Sequence, residues 1–170
     1  MNFSKIDNTL LLKFTEFLNS LGFFGELILL CIVSFVLYSN IADLLVFYIG
    51  LILNSFINQT LKPWIKNPRP ASPIKFLADE KLLKGSNSYG LPSGHSQNVF
   101  YSLTYLYLTV QQFNVLTVLS CVVGFMTIYE RWSHRNHTLL QLLSGAVLGC
   151  MFAFFVIYAR SQFEKNMRKI

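Results

Sequence analysis

The sequence predicts an all-α fold, a multi-span transmembrane bundle of about five helices forming one domain over residues 1–170. Three observations carry that prediction. The chain is 53% hydrophobic, with 16 Phe and 8 Tyr, and only 13% of its residues are charged, against about 25% in an average soluble domain. A soluble chain of 170 residues has too little interior to hide so much apolar side chain. The apolar residues also fall in runs near the roughly 20 residues that a helix needs to cross the hydrocarbon, and the charges lie between and beyond those runs.

Taken in order, Leu21 to Tyr38 forms the first run, with Glu26 as its one charge and an extension of a few residues upstream. Lys5, Asp7, Lys13 and Glu16 are mixed in sign and no small-residue cleavage site follows, so the run reads as a retained helix rather than a signal peptide. Ile41 to Leu61 is the second span, with Asp43 near its start and Asn54, Asn58 and Gln59 towards its end. Lys62 to Pro92 holds five prolines and eight charges; it reads as a long interfacial segment, with room for a short helix but none for a span. Ser96 to Val110, Asn114 to Tyr129 and Thr138 to Tyr158 complete the five, with a tight turn at Gln111 and Gln112. Four spans result instead if the first or third only lies in the membrane surface. Gly145 and Gly149, beside Ser144 and Ala146, give the last span a small-residue packing face.

Composition also narrows the function. The net charge of +6 forms no basic arm and no aromatic-interleaved stripe, so no nucleic acid is expected as a partner; an anionic lipid or substrate suits the distribution better. Cys31, Cys121 and Cys150 lie inside apolar runs, at spacings that match neither a disulfide framework nor a zinc site. Asp79 and Glu80 are adjacent acids in mid-loop without ligand spacing, and neither a metal nor another cofactor is expected.

Polar groups collect at three places: Lys62, Lys66, Arg69 and Pro70; Pro92-Ser93-Gly94-His95-Ser96; and Glu130-Arg131-Trp132-Ser133-His134-Arg135-Asn136-His137, with Gln141 one turn on. Five spans put all three on one membrane face. Cations and backbone N–H groups of a Ser-Gly turn suit phosphate oxygens, and two imidazoles suit its chemistry. The competing reading is contact with lipid headgroups. It covers Lys66, Lys75, Lys81 and Lys84 but leaves His95 and His137, each on an otherwise apolar helix, without a purpose.

Lys62, six residues, Arg69-Pro70, then Pro92-Ser93-Gly94-His95, then Arg131, five residues, His137 resembles the three-part signature of the type 2 phosphatidic acid phosphatase (PAP2) superfamily. The resemblance covers about Ile41 to Gly149. Within the superfamily it is nearest to dolichyl-diphosphatases, through Leu53-Asn54, Asn58, Tyr89-Gly90-Leu91 and Ser96-Gln97, and through Gln141 where most members carry Asp. Glu130 departs from the Ser common before the motif arginine. The resemblance implies a metal-independent hydrolase acting on a membrane lipid, either a polyprenyl diphosphate or a phospholipid phosphate. It implies His137 as nucleophile, His95 as acid and then base, and Gln141 behind His137. Lys62, Arg69, Ser93, Gly94 and Arg131 would hold the phosphate.

Among rivals, His134 competes with His137, and spacing to Gln141 favours the latter. Ser93 as a nucleophile would require a strand-to-helix elbow. Trp132 reads as an interface anchor, and Asn54 and Asn58 either tie spans together or position Lys62. A transporter would place charges near mid-bilayer or show repeats; a decayed, non-catalytic scaffold is the remaining alternative. The expected location is a multi-pass membrane protein of the endoplasmic reticulum, in a eukaryote or virus, or of the plasma membrane in a bacterium. Its site is expected to face the lumen or the outside, although the positive-inside rule points the other way. Of the glycosylation patterns, Asn2-Phe3-Ser4 is terminal, Asn58-Gln59-Thr60 lies in a span and Asn136-His137-Thr138 in the proposed site.

Overall fold

The computed structural model describes residues 3–74, 89–111 and 114–169. Lys75, Asp79, Glu80, Lys81, Lys84 and Gln112, and with them most of the interfacial segment, lie outside the described residues. Six helices follow in order: α1 Phe3–Phe23, α2 Gly25–Leu37, α3 Ile41–Ile65, α4 Gly94–Val110, α5 Val115–Ser133 and α6 Leu139–Met167.

The expectation of five spans is corrected. Three helices, α3, α5 and α6, are long and apolar enough to cross a membrane, or four spans if the bent pair α1–α2 counts as one. The first run is broken at Phe24, where the axis turns by 62° and no side chain caps α2. The third predicted span, α4, has only 17 residues, about 25 Å of helix at 1.5 Å per residue. Its polar first turns keep it from reading as a lipid-facing span. It is the central helix instead, packed by α2, α3, α5 and α6, with Val99, Tyr101, Tyr105 and Leu106 buried. The second span is longer than predicted: α3 continues through Lys62 and Pro63. Pro63 stands in the last turn, where it denies the carbonyl of Gln59 its i→i−4 donor without ending the helix. Lys66, in the left-handed region at φ 52°, closes α3 by donating its N–H to Lys62 O.

The α3–α4 seam is a ladder of polar contacts that runs antiparallel. Tyr105 donates to Asp43 O (2.9 Å) and Tyr101 to Phe47 O (3.0 Å). Higher up, Gln97 Nε2 donates to Asn54 O and Oδ1, and Asn58 Nδ2 donates to Gln97 Oε1 (2.7 Å) and Pro92 O (3.1 Å). Asn54 and Asn58 therefore tie the helices together. Each amide satisfies a group that burial would otherwise strand at a cost of about 1–3 kcal/mol. Around the ladder sits the core of Val33, Leu37, Phe47, Leu51, Tyr101, Tyr105, Leu106 and Ala153. On α3 Asp43, Asn54, Asn58 and Lys62 face inward, while Leu45, Ile49, Ile52 and Phe56 form an exposed stripe, which is the arrangement that lipid favours.

The small-residue face of α6 lies on α4. A Cβ at Gly145 would collide with Ser93 O, and one at Gly149 with Gln97 O and, at 2.9 Å, with Tyr101 N. Backbone-to-backbone approach of this kind needs glycine. It sets the depth at which the start of α6 meets the start of α4. At the opposite end, Arg160 of α6 pairs with Asp43 of α3.

Candidate active site

Four helix ends meet on one face of the bundle: the C-termini of α3 and α5 and the N-termini of α4 and α6. Each is fixed by its local sequence. Ser93 caps α4 by accepting the N–H of Ser96. Thr138 and Gln141 form a capping box at the start of α6, which leaves His137 immediately before the helix. Ser93 N–H donates to Gln141 O (2.9 Å) and Ser96 Oγ to Leu142 O (2.6 Å), so the two N-terminal turns are bonded to one another.

Gln141 is fully buried and its amide orientation follows from its neighbours. Nε2 faces two acceptors, Asn67 Oδ1 at 2.6 Å and Pro68 O at 2.8 Å. Oε1 must then be the atom that accepts Thr138 N–H (3.1 Å) and meets His137 Nδ1 at 3.3 Å. A ring nitrogen facing an acceptor carries the hydrogen, so His137 has its proton on Nδ1 and a free lone pair on Nε2. Gly90 makes room for this amide: a Cβ there would meet Gln141 Nε2 and Oε1 at 2.5 Å, and Gly90 N–H bonds Asn67 O.

The cations surround this pair. Lys62 is buried on α3, and its Nζ lies 3.9 Å from where a Cβ on Gly94 would stand. Arg69 has a buried Nε without a partner among the described residues. Burial, and then the nearby Arg131, hold its guanidinium below the usual range. Arg131 Nη2 donates to Phe23 O (3.5 Å), and the guanidinium lies over the Phe23 ring at 5.2 Å. His137 is pushed down to about 3, by burial first and then by Arg69; the Gln141 bond opposes this and Lys62 and Arg131 add to it. It is therefore neutral at any ordinary pH. A shallow pocket on the other side of His137 is walled by Pro70, Trp132, Leu139 and Leu140.

All eight residues singled out by the sequence thus lie on this face. His134 turns away: its Nδ1 meets Glu130 O at 3.0 Å and Ser133 Oγ at 3.2 Å. Glu130, the departure from the family pattern, is wholly buried, with Oε2 at 3.0 Å from Arg131 Nε and Oε1 at 3.6 Å from His134 Nδ1. It braces the motif arginine. Sequence reasoning missed three residues here. Asn67 holds Gln141; Asn136 is buried with both polar atoms unpartnered among the described residues; and Glu26 reaches His95 from α2. Glu26 had a signal, as the lone charge in an apolar run.

Buried helix ends, two imidazoles and three cations thus gather on one face of the bundle. The chain belongs to the PAP2 superfamily, which it matches over residues 43–165. It is 29% identical over 136 residues to human dolichyldiphosphatase 1, covering 71% of this chain and 54% of that protein. It is 28% identical over 120 residues to dolichyldiphosphatase of Saccharomyces cerevisiae (63% and 49%), and 29% over 113 residues to lipid phosphate phosphatase gamma of Arabidopsis thaliana (61% and 47%). The chain spans about half the length of these relatives. The crystal structure of a transmembrane PAP2-type phosphatidylglycerolphosphate phosphatase from Bacillus subtilis shares the fold, with a TM-score of 0.66 at 19% identity over 86% of this chain and 76% of that one.

Proposed function

We propose that this protein removes phosphate from a polyprenyl diphosphate at a membrane surface, through a phosphohistidine on His137. The observation that carries the reading is the Gln141 amide: its two donor bonds fix its oxygen on His137 Nδ1, which leaves Nε2 as a neutral nucleophile among cations. The dolichyldiphosphatase relatives and the shared Gln141 pattern support the diphosphate as substrate.

The chemistry follows from the groups present. His137 Nε2 attacks the terminal phosphorus while Lys62, Arg69 and Arg131 take the charge on its oxygens, helped by Ser93 and the Gly94 N–H at the start of α4. The bond from phosphorus to the bridging oxygen breaks, and His95 gives its proton to that oxygen. Water then attacks the phosphorus, giving its proton to His95 as the bond from phosphorus to His137 Nε2 breaks, and inorganic phosphate leaves with both histidines restored. Three cations supply the positive charge that a metal supplies elsewhere.

The test is phosphate release by the purified protein in detergent, in the presence of a chelator. Polyprenyl diphosphate and phosphatidate are offered in parallel. Preference for phosphatidate would move the substrate to a lipid monophosphate. No release from either would leave a non-catalytic scaffold. Localisation belongs to the same reading: a multi-pass protein with its site turned to the lumen or the outside.

A further inference from the structure

Glu26 stands in the first turn of α2, just past the elbow at Phe24, and outside the segment that matches the superfamily. Its Oε2 lies 3.9 Å from His95 Nε2, with the two side chains 30% and 27% exposed. At that separation the ring and the carboxylate face one another in near contact, close enough for the charge on one to act on the other. The carboxylate does not occupy this position by chance of rotamer. Its Oε1 accepts Asn98 Nδ2 at 2.8 Å. Asn98 is itself turned by Asn54 Nδ2 (2.8 Å) and Ser55 Oγ (3.2 Å), both donating to its Oδ1. Residues of α3 and α4 thus aim a carboxylate of α2 at the ring.

The titratable and charged groups that face His95 are Lys62 from α3, Arg69 from the loop after it, Arg131 from α5 and the neutral His137 before α6. The other buried carboxylate nearby, Glu130, is turned to Arg131 and His134. An acid catalyst in such a cage must hold a proton against several cations. An opposite charge within about 4–6 Å favours the protonated imidazole.

We propose that Glu26 is a positioning residue for His95, supplying the counter-charge that lets the imidazole carry the proton it delivers to the leaving oxygen. Glu26 itself gains and loses nothing covalent. The proton moves from His95 to the leaving oxygen and returns from the attacking water. The proposal rests on the phosphatase reading and deepens it.

The experiment compares parent and Glu26→Gln in single-turnover phosphoenzyme formation, with an alkyl lipid phosphate and with nitrophenyl phosphate. The glutamine still accepts the Asn98 bond but carries no charge. The alkyl substrate should slow about tenfold or more at pH 7, and its alkaline limb should move down by about one pH unit. Nitrophenolate leaves unprotonated, so that substrate should stay within about twofold. Glu26→Asp keeps the charge one methylene back, and its limb should lie between the other two; it decides the matter if the glutamine variant fails to fold. Both readouts are independent of the fraction of folded protein. An unmoved alkaline limb, or equal losses on both substrates, overturns the proposal. A parent protein that releases no phosphate overturns the phosphatase reading instead.

Discussion

Gln141 offers the sharpest perturbation, because its amide does two things at once. Its oxygen orients His137, and its nitrogen holds Asn67 and Pro68, the stretch that leads to Arg69. Gln141→Glu keeps the shape and the acceptor but removes both donors and turns a carboxylate on two oxygens. Two lost hydrogen bonds at about 1 kcal/mol each, plus about 1–3 kcal/mol for the stranded buried acceptors, give about 3–5 kcal/mol. Expressed wholly in the transition state, at about 1.4 kcal/mol per tenfold, that lowers kcat/KM by roughly 10²-fold to 4 × 10³-fold. The pH profile should change as well. In the parent, His137 sits at about 3, is neutral above that, and sets no acidic limb in the working range. A carboxylate beside the ring favours the imidazolium by about 1–3 pH units. Activity of the Glu variant should then fall as pH drops through about 4–6, since only the neutral ring attacks. Gln141→Leu should lose as much rate without gaining that limb. Phosphate release against pH for the three proteins is the assay. A Leu variant as active as the parent refutes the orienting role, and a Glu profile parallel to the parent's refutes the charge reasoning.

Four further outcomes are expected. His137→Ala should abolish turnover and any acid-labile phosphoenzyme, whereas His95→Ala should slow turnover and leave a trappable intermediate; the reverse pattern, seen by quench and gel, would exchange their roles. Arg69→Ala should raise KM for a diphosphate by about tenfold or more, because its Nε, without a partner among the described residues, is the donor for a charge-assisted bond to phosphate of about 1.5–3 kcal/mol. Phosphate release should be unchanged by a chelator, and activity lost with chelator and restored by magnesium would contradict the cation-only site. Gly149→Val should lower thermal stability in detergent by about 1–3 kcal/mol, since Gln97 O and Tyr101 N leave no room for a side chain; an unchanged melting curve would show that α6 can move off α4.

The candidate site was legible because ionisable residues at the ends of apolar spans are expensive to bury without a purpose. Lys62, Arg69, His95 and His137 stood out for that reason, and the chain places them on one face. What the sequence hid depends on contacts between distant segments. Nothing local distinguishes Asn67 from any loop asparagine until Gln141 Nε2 is seen to bond it from 74 residues away. Glu130 looked like damage to a motif, and only its burial against Arg131 and His134 gives it a task. The span count failed at α4, where hydropathy reports a helix's affinity for lipid and α4 faces protein.

The central position of α4 has a consequence for how the protein is made. A segment carrying Ser96, Gln97, Asn98, Tyr101, Ser102 and Tyr105 on 17 residues gains little from entering hydrocarbon alone. It gains from the oxygens of α3 and the glycines of α6. Helix α3 is synthesised before it and α6 after it, so the packing around α4 is completed only when its later partner has emerged. The last helix is then a fold-completing clamp as well as the bearer of Gln141, and assembly of the protein and assembly of its catalytic face become one event.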